Sequence, residues 1–297
     1  MKRFFVFLFA LLIVVTPTSC KNGGKGEKLN VVATTTMLYD LAKQIGGDCV
    51  NVYGLMNYGV DPHMYQASAN DLSLLKNADV IIYNGLHLEG KMAELFENLK
   101  KTKTVICASD GVKKEKLIEV GKNLYDPHIW FDVSLWMDAA EYVGNNFIVL
   151  DNKNAHVYYE NLHYYLYELR KLDEYIKNKV AELPEDKRVL ITAHDAFSYF
   201  GRAYGFEVLG LMGISTLTEA SVNDVSNLAD FIVKNQVKAI FAETSVPEKS
   251  MAALADAVKG RGFSVDFSGK LYSDSIGEEG YINSFKKNVD TIVELLK

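Results

Sequence analysis

Short apolar runs rich in Val and Ile alternate along this chain with stretches whose apolar positions recur every three or four residues. Residues 29–34 read as a strand, and Leu38, Leu41 and Ile45 mark one face of the helix that follows. Residues 52–56, 80–83 and 104–107 read as three further strands, and the same pattern resumes at 188–192, 237–241 and 263–265. Strands separated by helices of ten or more residues imply parallel sheets with helices on both faces. The expected fold class is α/β, with one lobe over residues 29–150 and a second over 185–297.

Residues 151–184 have a different character. Tyr158, Leu162, Tyr165, Leu166, Leu169, Leu172, Ile176 and Val180 form a single helical stripe, and the positions between them are mostly Glu, Lys, Asn and Arg. Asn154 is placed to cap the start of this helix and Pro184 to stop it. A helix over 155–183 would span roughly 44 Å, about the height of two stacked lobes. One stiff connector of that length should restrict hinging between them.

The first nineteen residues read as a signal peptide. Lys2 and Arg3 precede a twelve-residue apolar run, 4–15, which is too short to span a bilayer and suited to a secretory leader. Thr18 and Ser19 then lead into Cys20, the expected site of lipidation in an exported, membrane-anchored lipoprotein of the periplasm or cell surface. Such signals usually carry an aliphatic residue three places before the cysteine, where Pro17 stands here. Residues 20–28, glycine-rich and polar, read as a flexible tether.

The formal net charge is −6, and it becomes −8 once Lys2 and Arg3 leave with the leader. An acidic body without long basic runs argues against nucleic acid as a partner. Cys49 and Cys107 sit in apolar surroundings, where a buried free thiol is the default. The lack of any CxxC or Cys/His cluster argues against thiolate zinc and redox chemistry.

The candidate chemistry lies in a repeated tripeptide. Asp61-Pro62-His63 and Asp126-Pro127-His128 occur 65 residues apart, each presenting a histidine from a turn stiffened by proline. His194 follows the strand at 188–192, and Asp274 follows the last strand. Ligands of open α/β sheets bind beyond the carboxyl ends of the strands. His63, His128, His194 and Asp274 are therefore expected to meet across a cleft between the lobes, two from each half, as a metal cage. Glu243, after the strand at 237–241, is expected to buttress one of the histidines. His87 is read as structural, and His156 and His163, seven apart on the connector, as solvated.

These motifs resemble those of the cluster A-I, or TroA-like, solute-binding proteins of metal ABC transporters. The likeness is carried by Gly59-Val60-Asp61-Pro62-His63-Met64-Tyr65, Asn84-Gly85-Leu86-His87-Leu88-Glu89 and Asp126-Pro127-His128-Ile129-Trp130. It continues through Thr192-Ala193-His194-Asp195-Ala196-Phe197, Phe241-Ala242-Glu243-Thr244-Ser245 and Tyr272-Ser273-Asp274-Ser275, in the family's order from end to end. One departure is Gln66-Ala67-Ser68-Ala69, where the family commonly has Glu-Pro-Thr-Pro. The resemblance implies two lobes joined by a long helix, one metal ion held by His63, His128, His194 and Asp274, and delivery of that ion by a monomer to an ABC permease.

Three imidazoles and a carboxylate suit Zn²⁺, and a carboxylate bound through both oxygens would also admit Mn²⁺. Manganese members of the family often carry Glu where His194 stands. Zinc members often carry a His- and acid-rich loop before the second histidine motif, where residues 111–116 stand here. Zinc is the expected ion, with manganese second. A zinc hydrolase would need an open coordination position and a general base, and no His-Glu-x-x-His is present. A surface adhesin would need an apolar or repeated contact surface, which the sequence does not display. A receptor for an organic chelate would need an aromatic or Arg-lined cleft.

Overall fold

The computed structural model describes residues 28–297; the leader, Cys20 and the tether up to residue 27 lie outside them. The first lobe is built from β1 (Leu29–Ala33), α1 (Thr36–Gly46), β2 (Val50–Gly54), α2 (Ala69–Asn77), β3 (Val80–Tyr83), α3 (Ala93–Leu99) and β4 (Thr104–Cys107). Its sheet has the order β2-β1-β3-β4, and every pairing is parallel. A small antiparallel hairpin, β5 (Glu119–Gly121) and β6 (Leu124–Tyr125), leads into α4 (Val133–Leu150) and the connecting helix α5 (Ala155–Val180). The second lobe comprises β7 (Val189–His194), α6 (Ser198–Tyr204), β8 (Glu207–Met212), α7 (Val222–Asn235), β9 (Ala239–Glu243), α8 (Lys249–Gly260), β10 (Asp266–Leu271) and α9 (Tyr281–Leu296). Its sheet runs β10-β9-β7-β8, again all parallel. Among the described residues no helix is long and apolar enough to cross a membrane.

The expected α/β class and paired lobes are present, with differences in detail. β8 has no counterpart in the sequence reading, because Gly210 interrupts its apolar run and only its last two residues are buried. β10 begins at Asp266 instead of 263, since its ladder to β9 opens with Asp266 opposite Ala239. Cys107 is a buried free thiol as expected. Cys49 is buried as well.

α5 runs for 26 residues and buries the predicted stripe, adding Val157 to it. Asn154 does not cap it through its side chain. Its amide donates instead to Asp151, whose carboxylate also accepts from the Tyr158 hydroxyl. α4 lies against α5 where Gly144 leaves no room for a side chain, since a Cβ there would stand 2.8 Å from Leu162.

One apolar core spans both lobes. A continuous cluster of buried apolar side chains runs from Val31 in β1 through Trp136 and Leu169 to Phe285 and Leu296 in α9. Beneath the cleft, Phe131 packs on Phe197 from the other lobe at 4.2 Å between ring centroids, tilted by 32°, and Phe285 closes on it edge-on at 5.8 Å. An apolar junction of this kind, backed by a helix of about 39 Å, opposes free hinging.

Candidate metal centre

Each Asp-Pro-His tripeptide folds as a turn closed by its own aspartate. Asp61 Oδ1 accepts the backbone N–H of His63 at 2.8 Å, and Asp126 Oδ1 accepts that of His128 at 2.9 Å. This two-residue reach is the ordinary Asx turn, and the proline between its ends fixes one more dihedral. His194 ends β7, and Asp274 follows β10, so both come from the carboxyl edge of the second sheet.

All four side chains converge. One ligand atom from each of His63, His128, His194 and Asp274 lies within 4.8 Å of every other, and all four residues are buried. Nε2 of His63 is 3.3 Å from Nε2 of His128 and 3.4 Å from Asp274 Oδ2. Nε2 of His128 is 3.3 Å from Asp274 Oδ1, and Nε2 of His194 is 3.2 Å from Oδ2. Ligand bonds of ~2.0–2.1 Å in a tetrahedron put ligand atoms about 3.3–3.4 Å apart, close to the His63–His128 separation and to that of each imidazole from its nearest Asp274 oxygen. Both Asp274 oxygens and Nε2 of His194 are buried without a hydrogen-bond partner. Buried polar atoms are rarely left so, and a shared cation accounts for them.

Two of the three imidazoles are gripped from behind. Asp126 Oδ1 also lies 2.7 Å from Nδ1 of His128. Glu243 Oε1 accepts the backbone N–H of His194 at 2.8 Å, while its Oε2 stands 2.6 Å from Nδ1, close enough for an ion pair though not aligned as a hydrogen bond. A carboxylate on Nδ1 fixes the tautomer that leaves Nε2 free to ligate and raises its basicity. His63 receives its aspartate only at the backbone.

The protonation preferences follow. Burial alone would lower His128, but the carboxylates of Asp126 and Asp274 outweigh it and raise the imidazole to about 9. His194 is likewise raised well above its ordinary value, because Glu243 and Asp274 overcome its burial. His63 goes the other way, to about 4, since burial is the larger effect and the neighbouring His128 and His194 add to it against Asp274. Burial would raise Asp274, yet His194 and His128 hold it well below the usual carboxylate range.

Glu243, expected to buttress one of the histidines, lies against His194. His156 and His163 are exposed on α5, and His87 is exposed in a left-handed turn with φ of 65°. Asp126 is the contributor that sequence reasoning overlooked, although a carboxylate two residues before a histidine was signal enough. Others have no local signal. Tyr199 donates from its hydroxyl to the carbonyl of Asp126 at 2.9 Å, and the Trp130 indole donates to the carbonyl of Ser273 at 3.1 Å. Gly210 in β8 passes so close to the His194 strand end that a Cβ would meet the backbone nitrogen of Asp195 at 2.4 Å.

Two parallel α/β lobes on one connecting helix, with a buried three-histidine, one-carboxylate cluster at their junction, define a two-lobed metal-binding solute receptor. The chain belongs to the family described as zinc-uptake complex component A, periplasmic, whose profile matches residues 31–295. It is 43% identical over 281 residues to the zinc-binding protein TroA of Treponema pallidum, covering 93% of this chain and 91% of that protein. The solved TroA structure superposes with a TM-score of 0.89 over 91% of this chain and 99% of that one. The manganese-binding lipoprotein MntA of Bacillus subtilis is 40% identical over 298 residues, 98% of this chain and 97% of that protein. Fe(III)-bound YtgA of Chlamydia trachomatis, 26% identical, has a TM-score of 0.84 over 91% of this chain and 98% of that one. The chain is thus the extracytoplasmic receptor of an ABC uptake system for transition-metal ions, with the ion as cargo and a permease as recipient, and it is not an enzyme.

Proposed function

We propose that the ion is Zn²⁺, bound by Nε2 of His63, His128 and His194 and by the carboxylate of Asp274. The observation that carries this reading is the spacing of 3.2–3.4 Å between facing ligand atoms, which suits a small tetrahedral ion. Imidazole-rich sites also favour zinc over manganese in intrinsic affinity. Glu243 and Asp126 hold His194 and His128 in register for the ion. The receptor works as a monomer carried on a lipid at Cys20, and its acidic surface favours docking on basic residues of the permease.

Manganese is the second reading, favoured by one feature. Oδ1 of Asp274 faces His128 while Oδ2 faces His63 and His194, so both oxygens are turned inward as a bidentate carboxylate would be. The relatives named above bear both descriptions, zinc-binding and manganese-binding. Calorimetric titration of the mature chain decides between them. The expected result is one Zn²⁺ per chain in the nanomolar range and weaker Mn²⁺; tighter Mn²⁺ would reverse the assignment.

A further inference from the structure

The two Asp-Pro-His turns spend their second carboxylate oxygen differently. Asp126 Oδ2 is buried without a hydrogen-bond partner. Asp61 Oδ2 leaves its lobe altogether and accepts a hydrogen bond of 2.5 Å from the hydroxyl of Thr216, in the loop between β8 and α7 of the second lobe. The other end of the same segment is tied across as well. The backbone N–H of Gly59 donates to the Ser275 hydroxyl at 2.8 Å, next to Asp274. His63 thus stands on a short segment whose two ends are held by the lobe it does not belong to, while its ring has no carboxylate behind it.

We infer that Thr216 is a positioning residue of the metal site, whose hydroxyl holds the Asp61 turn, and with it His63, in the ligating position only while the lobes are together. The contact joins closure to coordination: as the lobes part, Asp61 loses Thr216, and His63 is the imidazole with least else to keep it in place. Capture needs no such contact, because His128 and His194, each gripped by a carboxylate, offer two ligands without it. Thr216 therefore acts on retention of the ion.

This inference rests on the metal reading above, and the experiment separates the two. The mature chain, loaded with Zn²⁺, is mixed with excess EDTA in a stopped-flow instrument, and association is followed separately with a zinc indicator. Thr216→Val, which keeps the side chain's shape and removes the hydroxyl, should release Zn²⁺ roughly tenfold faster, the scale of one lost hydrogen bond to a carboxylate. Its association rate should stay as in the unaltered chain. Thr216→Ser, which keeps the hydroxyl, should restore slow release. If Thr216→Val lowers the melting temperature of the metal-free chain, Thr216→Ala compared with Thr216→Ser makes the same measurement without the branched methyl. Release at the unaltered rate in the variants lacking the hydroxyl, or equally fast release in Thr216→Ser, overturns the role of Thr216 and leaves the metal site standing. Failure of the unaltered chain to bind Zn²⁺ overturns both.

Discussion

Asp61-Pro62-His63 and Asp126-Pro127-His128 are the same tripeptide folded into the same turn, yet they present histidines of opposite electrostatic character. His128 is fully buried, with Asp126 at its ring nitrogen, and is raised to about 9. His63, at the edge of the cleft with its aspartate turned to Thr216, is lowered to about 4. At His63 burial outweighs Asp274, whereas at His128 the carboxylate of Asp126 joins Asp274 and overcomes it. A carboxylate behind the ring makes a basic, oriented ligand that holds a proton until metal displaces it. A carboxylate directed across the cleft leaves a neutral ligand whose position depends on the other lobe. A receptor that must both seize and surrender an ion can use one of each.

The largest effects test whether both histidines are ligands. His63→Ala and His128→Ala should each weaken Zn²⁺ binding by more than the ~10–100-fold typical of losing an outer carboxylate. They should part company in the metal-free protein. His128→Ala strands Asp126 in the interior and should cost about 1–3 kcal/mol in thermal or urea unfolding, whereas His63→Ala should leave stability nearly unchanged. Tight zinc binding retained in both variants would dismantle the proposed cage.

Next in size are the carboxylates behind the rings. Asp126→Asn and Glu243→Gln should each weaken binding by ~10–100-fold. Asp61→Asn should fall at or below the lower end of that range, because Asp61 does not reach the His63 ring. Equal losses from Asp61 and Asp126, measured by competition with a chromogenic chelator, would erase the distinction between the turns.

The pH dependence sharpens it further. Metal binds neutral imidazole, so at pH 7 the ion should expel protons from His128 and His194 and none from His63. Calorimetry in buffers of different ionisation enthalpy reads that release directly. Affinity should keep rising with pH towards about 9 instead of levelling off above the ordinary imidazole value of 6.5. Without metal the sign reverses. A histidine raised from 6.5 unfolded to about 9 folded contributes stability that is complete below 6.5 and is lost as pH rises through 9. Melting temperatures across that window should fall for the metal-free chain and not for the zinc-loaded one. Asp126→Asn should remove the part of the decline that Asp126 confers on His128 and leave the part that belongs to His194.

The smallest expected effect is a control. His163 is exposed on α5, its Nδ1 beside the Tyr159 carbonyl at 2.8 Å. His163→Ala should change neither zinc affinity nor stability beyond about 0.5 kcal/mol.

What could be read from the chain alone was whatever rests on local periodicity or a short motif. The stripe from Tyr158 to Val180 specified the connecting helix because each apolar side chain faces the core at helical spacing. The paired tripeptides marked two turns that present histidines because proline and an Asx turn fix backbone geometry within three residues. β8 escaped notice, since a strand broken by Gly210 and half exposed carries little pattern. Its glycine makes sense only beside the His194 backbone, which it must pass closely. The direction of each aspartate was likewise undecided. Asp61 and Asp126 have identical neighbours in their motif, and only packing determines that one meets its own histidine ring and the other meets Thr216, 155 residues further along. Local sequence sets the conformation of a turn. The environment of its side chains, and with it their charge, belongs to the parts of the chain that folding brings alongside.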